Sequence, residues 1–486
     1  MLRIKGIVSL LLVVLFCAGS SVWAQTVSVK LQEGIYQETT GNLPEAMTIY
    51  AEIIENGDST DTQAATAMFR LGMCQLMTGD KEKAAGTFKQ VITRYPSESE
   101  VVEKAKNQLE KLNSGSIGKV IQVSLLEDLQ EAIDVAEPND TIILGKGTYT
   151  QPVIISKGIT LRGASRTDSV FEVTADQAAI SINTMGKGKT KLENLTFKWQ
   201  LASSNPGTNV LGAVTVVDSR AEIEGCYFKA LGNTKRCPKA VMHLGNSEVN
   251  IIRSRFEGFE HPICYNGGTR GTIQDCLIMD SGHQGVLLHA GSEVNVVGNV
   301  ICGHRFHGVR SLGGKLNAKD NLVADNQYHT GFYMINNTRG SIINNVMTGN
   351  SVGVGGYAQT MMNIENNVFM GNDSGVLMYG PSFTIKNNIF QGNSRALKLH
   401  KSPLGENIIS INTLWDNTID FENFIEEPNS IRGESCFVDA DHGNFALTNP
   451  VFTALNQGLT DPEIFIVLWN RWKNRTDPNE PFVIIW

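Results

Sequence analysis

The chain has 486 residues, which is long enough for two or three folded units. Hydrophobic residues make up 41% and charged residues 19%, and 47 Gly against 14 Pro favour a turn-rich globular protein. The 49 acidic residues outnumber the 41 Lys and Arg, so the net charge of -8 gives no general attraction to nucleic acid or to an anionic membrane. This composition excludes a multi-span membrane protein, a collagen and a coiled-coil rod.

The first residues predict a signal peptide. Arg3 and Lys5 precede an apolar run over residues 7–17, which is too short for a comfortable membrane span. Val22 and Ala24 stand at positions -3 and -1 of a cleavage point before Gln25. We therefore expect residues 1–24 to be removed and the protein to be secreted or periplasmic, with no membrane span after cleavage. An uncleaved anchor is the alternative.

The cysteines do not predict a disulfide framework. Seven of the eight Cys remain after cleavage, and neither a CxxC motif nor a Cys/His metal spacing occurs. Several of them occupy apolar positions, where we expect core residues. One disulfide bridge that involves Cys237 is the alternative.

Residues 25–113 are predicted to be helical and carry an internal repeat. Gly34 and Gly72 are 38 residues apart, as are Ala46 and Ala84. Small residues let two helices approach, and the aromatic residue after each Ala fills the remaining space. The residues at tetratricopeptide spacing are Leu71, Gly72, Ala84, Phe88 and Pro96. This unit resembles the tetratricopeptide repeat, which implies a groove for a protein partner; a plain helical spacer is the alternative.

Residues 119–450 are strongly periodic. Apolar strands open at intervals of 22 or 23 residues, at Gly285, Gly308, Gly331, Gly353 and Gly375. Two columns of asparagine follow the same period: Asn299, Asn321, Asn345, Asn367, Asn388 and Asn412, then Asn326, Asn350, Asn372, Asn393 and Asn417. A unit of this length makes three short strands and three turns, and it buries its apolar side only by stacking on its copies. We expect each Asn to adopt a left-handed turn and to hydrogen-bond the next Asn of its column.

This pattern resembles the right-handed parallel β-helix of the pectin-lyase-like superfamily. The resemblance implies a mainly β fold, a right-handed parallel β-helix solenoid preceded by the small α-helical unit. An amphipathic helix within residues 125–136 would close the first edge, and residues 451–486 would form a C-terminal cap or tail, with a helix over 461–473 on the last turn. The superfamily contains lyases, hydrolases, esterases, epimerases, adhesins and scaffolds, so the resemblance does not specify an activity.

Strand alternation predicts one outer face that carries aromatic and cationic side chains. These outward residues are His289, Arg310, Tyr333, Tyr357, Tyr379, Lys398 and His400. Aromatic faces stack on sugar rings, and cations pair with uronate or sulfate groups. We therefore predict a carbohydrate-binding face, with an ordinary exposed sheet face as the alternative.

A second polar group lies just before these strands. Its members are His283, His304, Arg305, His307, Tyr328 and His329. A β-elimination lyase needs a cation beside the uronate carboxylate and a base for the α-proton, and Arg310 and His307 could serve in these roles. A solvated turn is the alternative. The patterns of polygalacturonases and of pectate-lyase calcium sites are missing; Asp280 and Asp325 are weak candidates for Ca²⁺, and no metal or other cofactor is otherwise expected.

The sequence favours an exported β-helix that binds a polysaccharide or another cell-envelope component, with helical repeats for a protein partner. Two alternatives stay open: a polysaccharide lyase that acts on an acidic glycan, and a non-catalytic scaffold or assembly protein. The pattern does not identify the ligand or the partner.

Overall fold

The structure is a computed structural model, and it describes residues 27–39, 42–56, 59–113, 118–125, 127–203, 211–326, 328–379, 382–399, 408–424, 429–433, 437–448, 452–453 and 455–477. The predicted signal peptide, His400 and Cys436 lie outside the described residues.

Five helices form the N-terminal unit. They are α1 over residues 27–39, α2 Leu43–Glu55, α3 Asp61–Met77, α4 Lys81–Arg94 and α5 Ser99–Asn113. A Cβ on Gly34 would lie 2.6 Å from the Tyr50 ring, and one on Gly72 would lie 2.7 Å from the Phe88 ring. Both rings are fully buried. The predicted pairing of a small residue with an aromatic one is therefore confirmed in both repeats.

The β-strands between residues 120 and 432 wind into a right-handed parallel β-solenoid with three faces. Face A contains β1 Val120–Val123, β2 Thr141–Leu144, β5 Thr160–Gly163, β8 Lys189–Glu193, β11 Arg220–Glu224, β14 Glu248–Ile252, β17 Arg270–Gln274, β20 Glu293–Val297, β23 Lys315–Lys319, β26 Arg339–Ile343, β29 Met361–Glu365, β32 Ser382–Lys386, β35 Ile408–Trp415 and β37 Asn429–Arg432. Face B contains β3 Gly147–Tyr149, β6 Ser169–Thr174, β9 Thr196–Gln200, β12 Tyr227–Ala230, β15 Arg255–Glu257, β18 Leu277–Met279, β21 Val300–Cys302, β24 Leu322–Ala324, β27 Val346–Thr348, β30 Val368–Met370 and β33 Ile389–Gln391. Face C contains β4 Val153–Ile155, β7 Ile180–Ile182, β10 Val214–Val217, β13 Lys239–Leu244, β16 His261–Tyr265, β19 Val286–His289, β22 Val309–Leu312, β25 Thr330–Ile335, β28 Val352–Tyr357, β31 Ser374–Tyr379, β34 Arg395–Leu399 and β36 Ile419–Glu422. From β2 to β34, each turn passes through A, B and C in that order, which confirms the predicted fold class.

The asparagine columns form buried ladders at two corners of the solenoid. In the first, the backbone N–H of Asn321 donates to Oδ1 of Asn345 at 2.9 Å, and Nδ2 of Asn321 donates to the same oxygen at 2.8 Å. The next turn repeats the pattern from Asn345 to Asn367. Each ladder therefore links successive turns through buried side chains, as predicted.

The conformation expected for the ladder asparagines was wrong by one residue. Asn345 and Asn367 are not left-handed; the residues before them, Asn344 and Asn366, take a φ of 56°. The left-handed residue makes the turn, and the residue after it points into the corner, where its amide meets its counterparts. Sequence periodicity alone does not separate these two adjacent positions.

Cysteine and serine continue the first ladder toward the N-terminal end. The Cys276 N–H donates to Asn299 Oδ1 at 2.9 Å, and the Cys226 N–H donates to Ser254 Oγ at 3.1 Å. All six cysteines in the described ranges are buried, and none of them forms a disulfide with another described residue, Cys237 included. The expected core role is confirmed for these six.

Two helices cover the solenoid. Helix α6, Leu129–Val135, covers the N-terminal end of the solenoid, as predicted, and it buries Leu129 and Ile133 there. Helix α7, Ile464–Lys473, lies against the outside of face B rather than over the last turn. Outward apolar residues of face B, from Leu277 to Ile389, form one cluster with it. No helix in the described ranges is both long enough and apolar enough to cross a membrane.

The hairpin β38 Phe437–Asp439 with β39 Asn444–Leu447 supports α7. Its Phe445 ring lies 5.6 Å from the Trp469 ring, edge to face. The C-terminal segment is therefore packed along the flank of the solenoid.

Candidate functional site

The register of face C brings the predicted outward residues into rows. Arg310 pairs with Leu287 on one side and with Tyr333 on the other. Tyr333 pairs with Gly355, and Tyr357 pairs with Tyr379. Because strands in neighbouring turns are in parallel register, these side chains lie one turn apart on the same surface. The rows are those that strand alternation predicts.

Eight ring side chains make a continuous stack along face C and the corner before it, which we call the ring strip. In order they are His261, His283, Phe306, His329, His307, Tyr333, Tyr357 and Tyr379. Successive centroids lie between 4.1 and 5.1 Å apart. The two groups that the sequence places separately, the corner histidines and the strand tyrosines, thus form one feature, joined where His307 meets Tyr333.

From His307 to Tyr379 the rings are stacked or tilted by at most 39°, so their faces are largely covered by their neighbours. The planes of Tyr357 and Tyr379 differ by 21°, and those of Tyr333 and Tyr357 by 39°. The tyrosine rings are half-buried. The hydroxyl groups of Tyr333 and Tyr357 have no hydrogen-bond partner in the described part of the chain. The strip therefore offers hydroxyl edges, whereas the sequence suggested open ring faces.

Gly355 allows the strip to change rows. A Cβ on this residue would lie 3.2 Å from the Tyr357 ring and 3.2 Å from Cγ2 of Thr330. Tyr357 leans over this position and so bridges Tyr333 and Tyr379, which belong to different rows of face C.

Arg310 and His307 lie beside Tyr333. The guanidinium carbon of Arg310 is 5.6 Å from the Tyr333 ring centroid. Arg310 forms no ion pair with a described residue, and its buried Nε has no hydrogen-bond partner there. Burial lowers the pKa of His307 to about 3, with smaller contributions from His329 and Arg310. Nδ1 of His307 accepts from the Thr330 N–H at 3.4 Å, so the neutral ring carries its proton on Nε2.

At the downstream end of face C, two cations share one carboxylate. The ammonium of Lys398 lies 2.7 Å from Glu422, and the guanidinium of Arg395 lies 2.5 Å from the same carboxylate. The lysine predicted as a ligand-binding cation is thus already paired. His289 is half-buried at the other end, where burial lowers its pKa, with smaller contributions from Lys239 and Arg310.

Three residues near the strip escaped sequence reasoning. Lys239 pairs in register with His261, and only 6% of its surface is exposed. Burial lowers its pKa. Gln284 is fully buried beside His283, and its Nε2 has no partner among the described residues. Counting the turn period back past Gly285 would have located His261 and Lys239, since these two residues are one period apart. The eight residues between β12 and β13 interrupt the period only before Lys239.

The other residues of the predicted corner group are dispersed. His304 belongs to the second ladder: its N–H donates to Asn326 Oδ1 at 3.1 Å, and its Nδ1 lies 2.7 Å from Ser281 Oγ. Arg305 is exposed and lies 5.8 Å from the Phe306 ring. Tyr328 is 79% exposed.

The two aspartates considered for Ca²⁺ lie under the C-terminal segment. Oδ2 of Asp325 accepts from the Trp472 indole at 3.0 Å and from Arg475 at 3.2 Å. Burial raises the pKa of Asp280. Within the described ranges, no three His, Cys, Asp or Glu side chains come close enough to hold a metal ion.

Three family models match parts of the chain. They are the right-handed β-helix region over residues 157–327, the tetratricopeptide repeat over residues 66–97, and the periplasmic copper-binding protein NosD over residues 313–433. No curated protein sequence matches the chain. The side chains described above do not assemble a copper site of three or more ligands.

Solved structures with a similar course of the chain have low sequence identity to it. An alginate lyase of family PL6 is 13% identical with a TM-score of 0.42, and the match covers 71% of this chain and 57% of the lyase. A GH87 α-1,3-glucanase from Streptomyces thermodiastaticus is 13% identical with a TM-score of 0.42, over 65% of this chain and 68% of the enzyme. The mannuronan C-5 epimerase AlgE6 A-module of Azotobacter vinelandii is 12% identical with a TM-score of 0.33, over 63% and 92%. From its own strand pairing and these family models, the chain consists of tetratricopeptide-type helices followed by a right-handed parallel β-helix.

Proposed function

We propose that the protein is exported and binds a polysaccharide or another envelope glycan along face C. The ring strip carries this proposal, because it places half-buried aromatic edges on consecutive turns of a rigid solenoid. Tyrosine combines an apolar ring with a hydroxyl group, which suits the mixed polar and apolar surface of a sugar.

The contacts to sugar are hydrogen bonds from ring edges. Since the tyrosine faces cover one another, the hydroxyls of Tyr333 and Tyr357 and the Nε2–H of His307 are the groups that reach a ligand. A neutral hydrogen bond contributes roughly 0.5–1.5 kcal/mol, so several turns are needed for useful affinity. An extended ligand that runs along the solenoid makes such contacts turn after turn.

A glycan array with paired tyrosine variants tests the proposal. The variant in which Tyr333 and Tyr357 are both changed to Phe keeps the stacked rings and removes only the hydroxyls. We expect it to lose roughly tenfold in affinity, because two hydrogen bonds disappear. Tyr36→Phe, in the N-terminal helices, is the matched control. Full binding by the double variant would show that hydroxyl edges do not hold the ligand, and no retention of any glycan by the wild type would leave the scaffold interpretation.

A polysaccharide lyase is the second candidate, and the unpaired Arg310 beside Tyr333 favours it. His307 is less suited to the role of base, because a pKa of about 3 makes it a poor proton acceptor and its Nδ1 is already hydrogen-bonded. The test is ultraviolet absorbance of unsaturated product during incubation with alginate, pectate and glycosaminoglycans. Absorbance that grows with the wild type and vanishes with Arg310→Ala would establish the lyase.

We also propose that the helical unit binds a protein partner. A groove of about 410 Å³ lies between α2, α3 and α4, with the apolar side chains of Ile54, Met68 and Leu71 in its wall and Glu55 and Arg94 at its polar positions. Ile54→Glu places a charge in the groove and should abolish capture of the partner, while glycan binding on face C stays unchanged. If the wild type and Ile54→Glu capture the partner equally, this groove is not the binding site.

A further inference from the structure

We infer that the ligand of face C is an oligosaccharide that carries negative charge at one end only and is neutral along the rest. This inference rests on the proposed function of face C and adds the chemical class of the ligand. The observation behind it is the uneven distribution of charge along the ring strip.

The positive end of the strip lies at Lys239 and Arg310. Lys239 lies one turn before His261 and Arg310 lies one turn after His289. Both act on the protonation of these two imidazoles. Arg310 is the cation that acts on both His261 and His307, whereas Lys239 lies close enough to Glu260 for that carboxylate to act on it. An anionic group is therefore attracted to this end. It would meet the half-buried guanidinium of Arg310, whose Nε has no partner within the described ranges.

The tyrosine end has no such cation. Downstream of Arg310, the same row of face C continues with Tyr333, Gly355 and Leu377. The next cation in the row, Lys398, is held by Glu422 at 2.7 Å. The strip from Arg310 to Tyr379 spans three turns, or ~14 Å at ~4.8 Å per turn.

A uniformly charged glycan does not fit this arrangement. A carboxylate on every sugar would place several anions against tyrosine edges, where they lose hydration and gain no cation. The last of them would reach Arg395 and Lys398 only in competition with Glu422, which already holds both. Burying an unpaired charge costs far more than a neutral hydrogen bond returns. A chain with neutral sugars over Tyr333 and Tyr357 avoids this cost.

The anionic end group has oxygen atoms that a guanidinium can hold. Arg binds carboxylate, phosphate and sulfate through paired N–H groups, so a terminal uronate, phosphate or sulfate satisfies the same recognition. These three groups differ in charge and shape, and separate probes distinguish them.

The experiment uses the full chain and an array with three classes of probe. The classes are neutral oligosaccharides, the same oligosaccharides with one terminal uronate, phosphate or sulfate, and uniformly charged oligoguluronate, oligogalacturonate and heparin fragments. We expect the singly charged class to bind at least tenfold tighter than its neutral counterparts. Arg310→Gln should remove this difference, while Arg310→Lys, which keeps the charge and loses the fork, should retain part of it.

The outcomes separate the two proposals. Strongest binding of the uniformly charged probes would overturn the inference and keep face C as a glycan-binding surface. Equal binding of the singly charged and neutral probes, or a preference for the singly charged probes that Arg310→Gln leaves unchanged, would do the same. No binding of any probe would overturn both. Circular dichroism and the urea midpoint of each Arg310 variant show whether its fold is intact, and Arg310→Lys keeps the test valid if Arg310→Gln does not fold.

Discussion

His307 and Tyr333 stack face to face, with 4.1 Å between ring centroids and 16° between ring planes. This contact joins the imidazoles of one corner to the tyrosines of face C, so that eight rings on successive turns form one strip. The same contact holds His307 in a buried, neutral state beside Arg310. Glycan affinity tests the ring strip, and unfolding stability tests the solenoid that supports it.

Gly355 tests the continuity of the ring strip. In Gly355→Leu the new side chain would occupy the space over which Tyr357 leans, because even a Cβ would come within 3.2 Å of that ring. We expect Tyr357 to be displaced and glycan affinity to fall at least fivefold, with an unchanged circular dichroism spectrum. The matched control is Gly371→Ala, at a corner with no atom near the added Cβ but with a positive φ of 63°. If Gly355→Leu binds as tightly as the wild type, Tyr357 does not contribute to the site.

The asparagine ladder should dominate the stability of the solenoid. Asn345→Ala leaves the Asn321 N–H without its acceptor and two carbonyls, of Ala318 and Ile343, without their donor. Each buried group left unsatisfied costs about 1–3 kcal/mol, so we expect a total loss of roughly 3 kcal/mol or more. Urea unfolding measures it.

The control for the ladder lies one turn beyond Asn345, in β29. Asn363 is exposed on face A, and Asn363→Ala should shift stability by less than about 0.5 kcal/mol. Equal effects of the two substitutions would contradict the role assigned to the ladder.

His304 should make the protein sensitive to mild acid. Burial lowers its pKa from 6.5 to about 3, so between these values the unfolded chain binds a proton that the folded protein does not. Stability is therefore complete above pH 6.5 and falls as the pH decreases. At pH 5 the loss is about 2 kcal/mol for this one residue.

The substitution His304→Asn should reduce that loss. Asn continues the second ladder, since the next turn places Asn326 at the equivalent position and its Oδ1 already accepts from the residue 304 N–H. Comparing urea midpoints at pH 7.5 and pH 5 measures the effect, with the exposed His442→Asn as control. If the stability of His304→Asn depends on pH as strongly as that of the wild type, His304 is not the source of the acid sensitivity.

The C-terminal segment should be essential for the cover of face B. Trp469 is 4% exposed and packs edge to face on Phe445 and Trp472. We expect Trp469→Ala to cost about 3–5 kcal/mol and to increase the binding of a hydrophobic dye, because face B loses its cover. Val467→Ala, on the exposed side of the same helix, should cost less than about 1 kcal/mol. A dye signal equal to that of the wild type would show that face B is not exposed by the change.

The repeat of 22 or 23 residues allowed the solenoid and the outward rows of face C to be predicted, because stacking places equivalent residues in register. The position of α7 was not predictable, since outward residues such as Val300 and Leu322 look like core residues in the sequence. Ring orientation was not predictable either. The spacing of Tyr333 and Tyr357 gives their distance along the solenoid, but whether they show faces or edges depends on Gly355 and on the contact with His307.

A crystal structure with the oligosaccharide that the array selects tests the central claim most directly. The account expects the sugar chain along face C, with ring oxygens or hydroxyls within hydrogen-bonding distance of Tyr333 and Tyr357 and the anionic end at Arg310. A ligand bound to face A, or to the helical unit with face C empty, would contradict it.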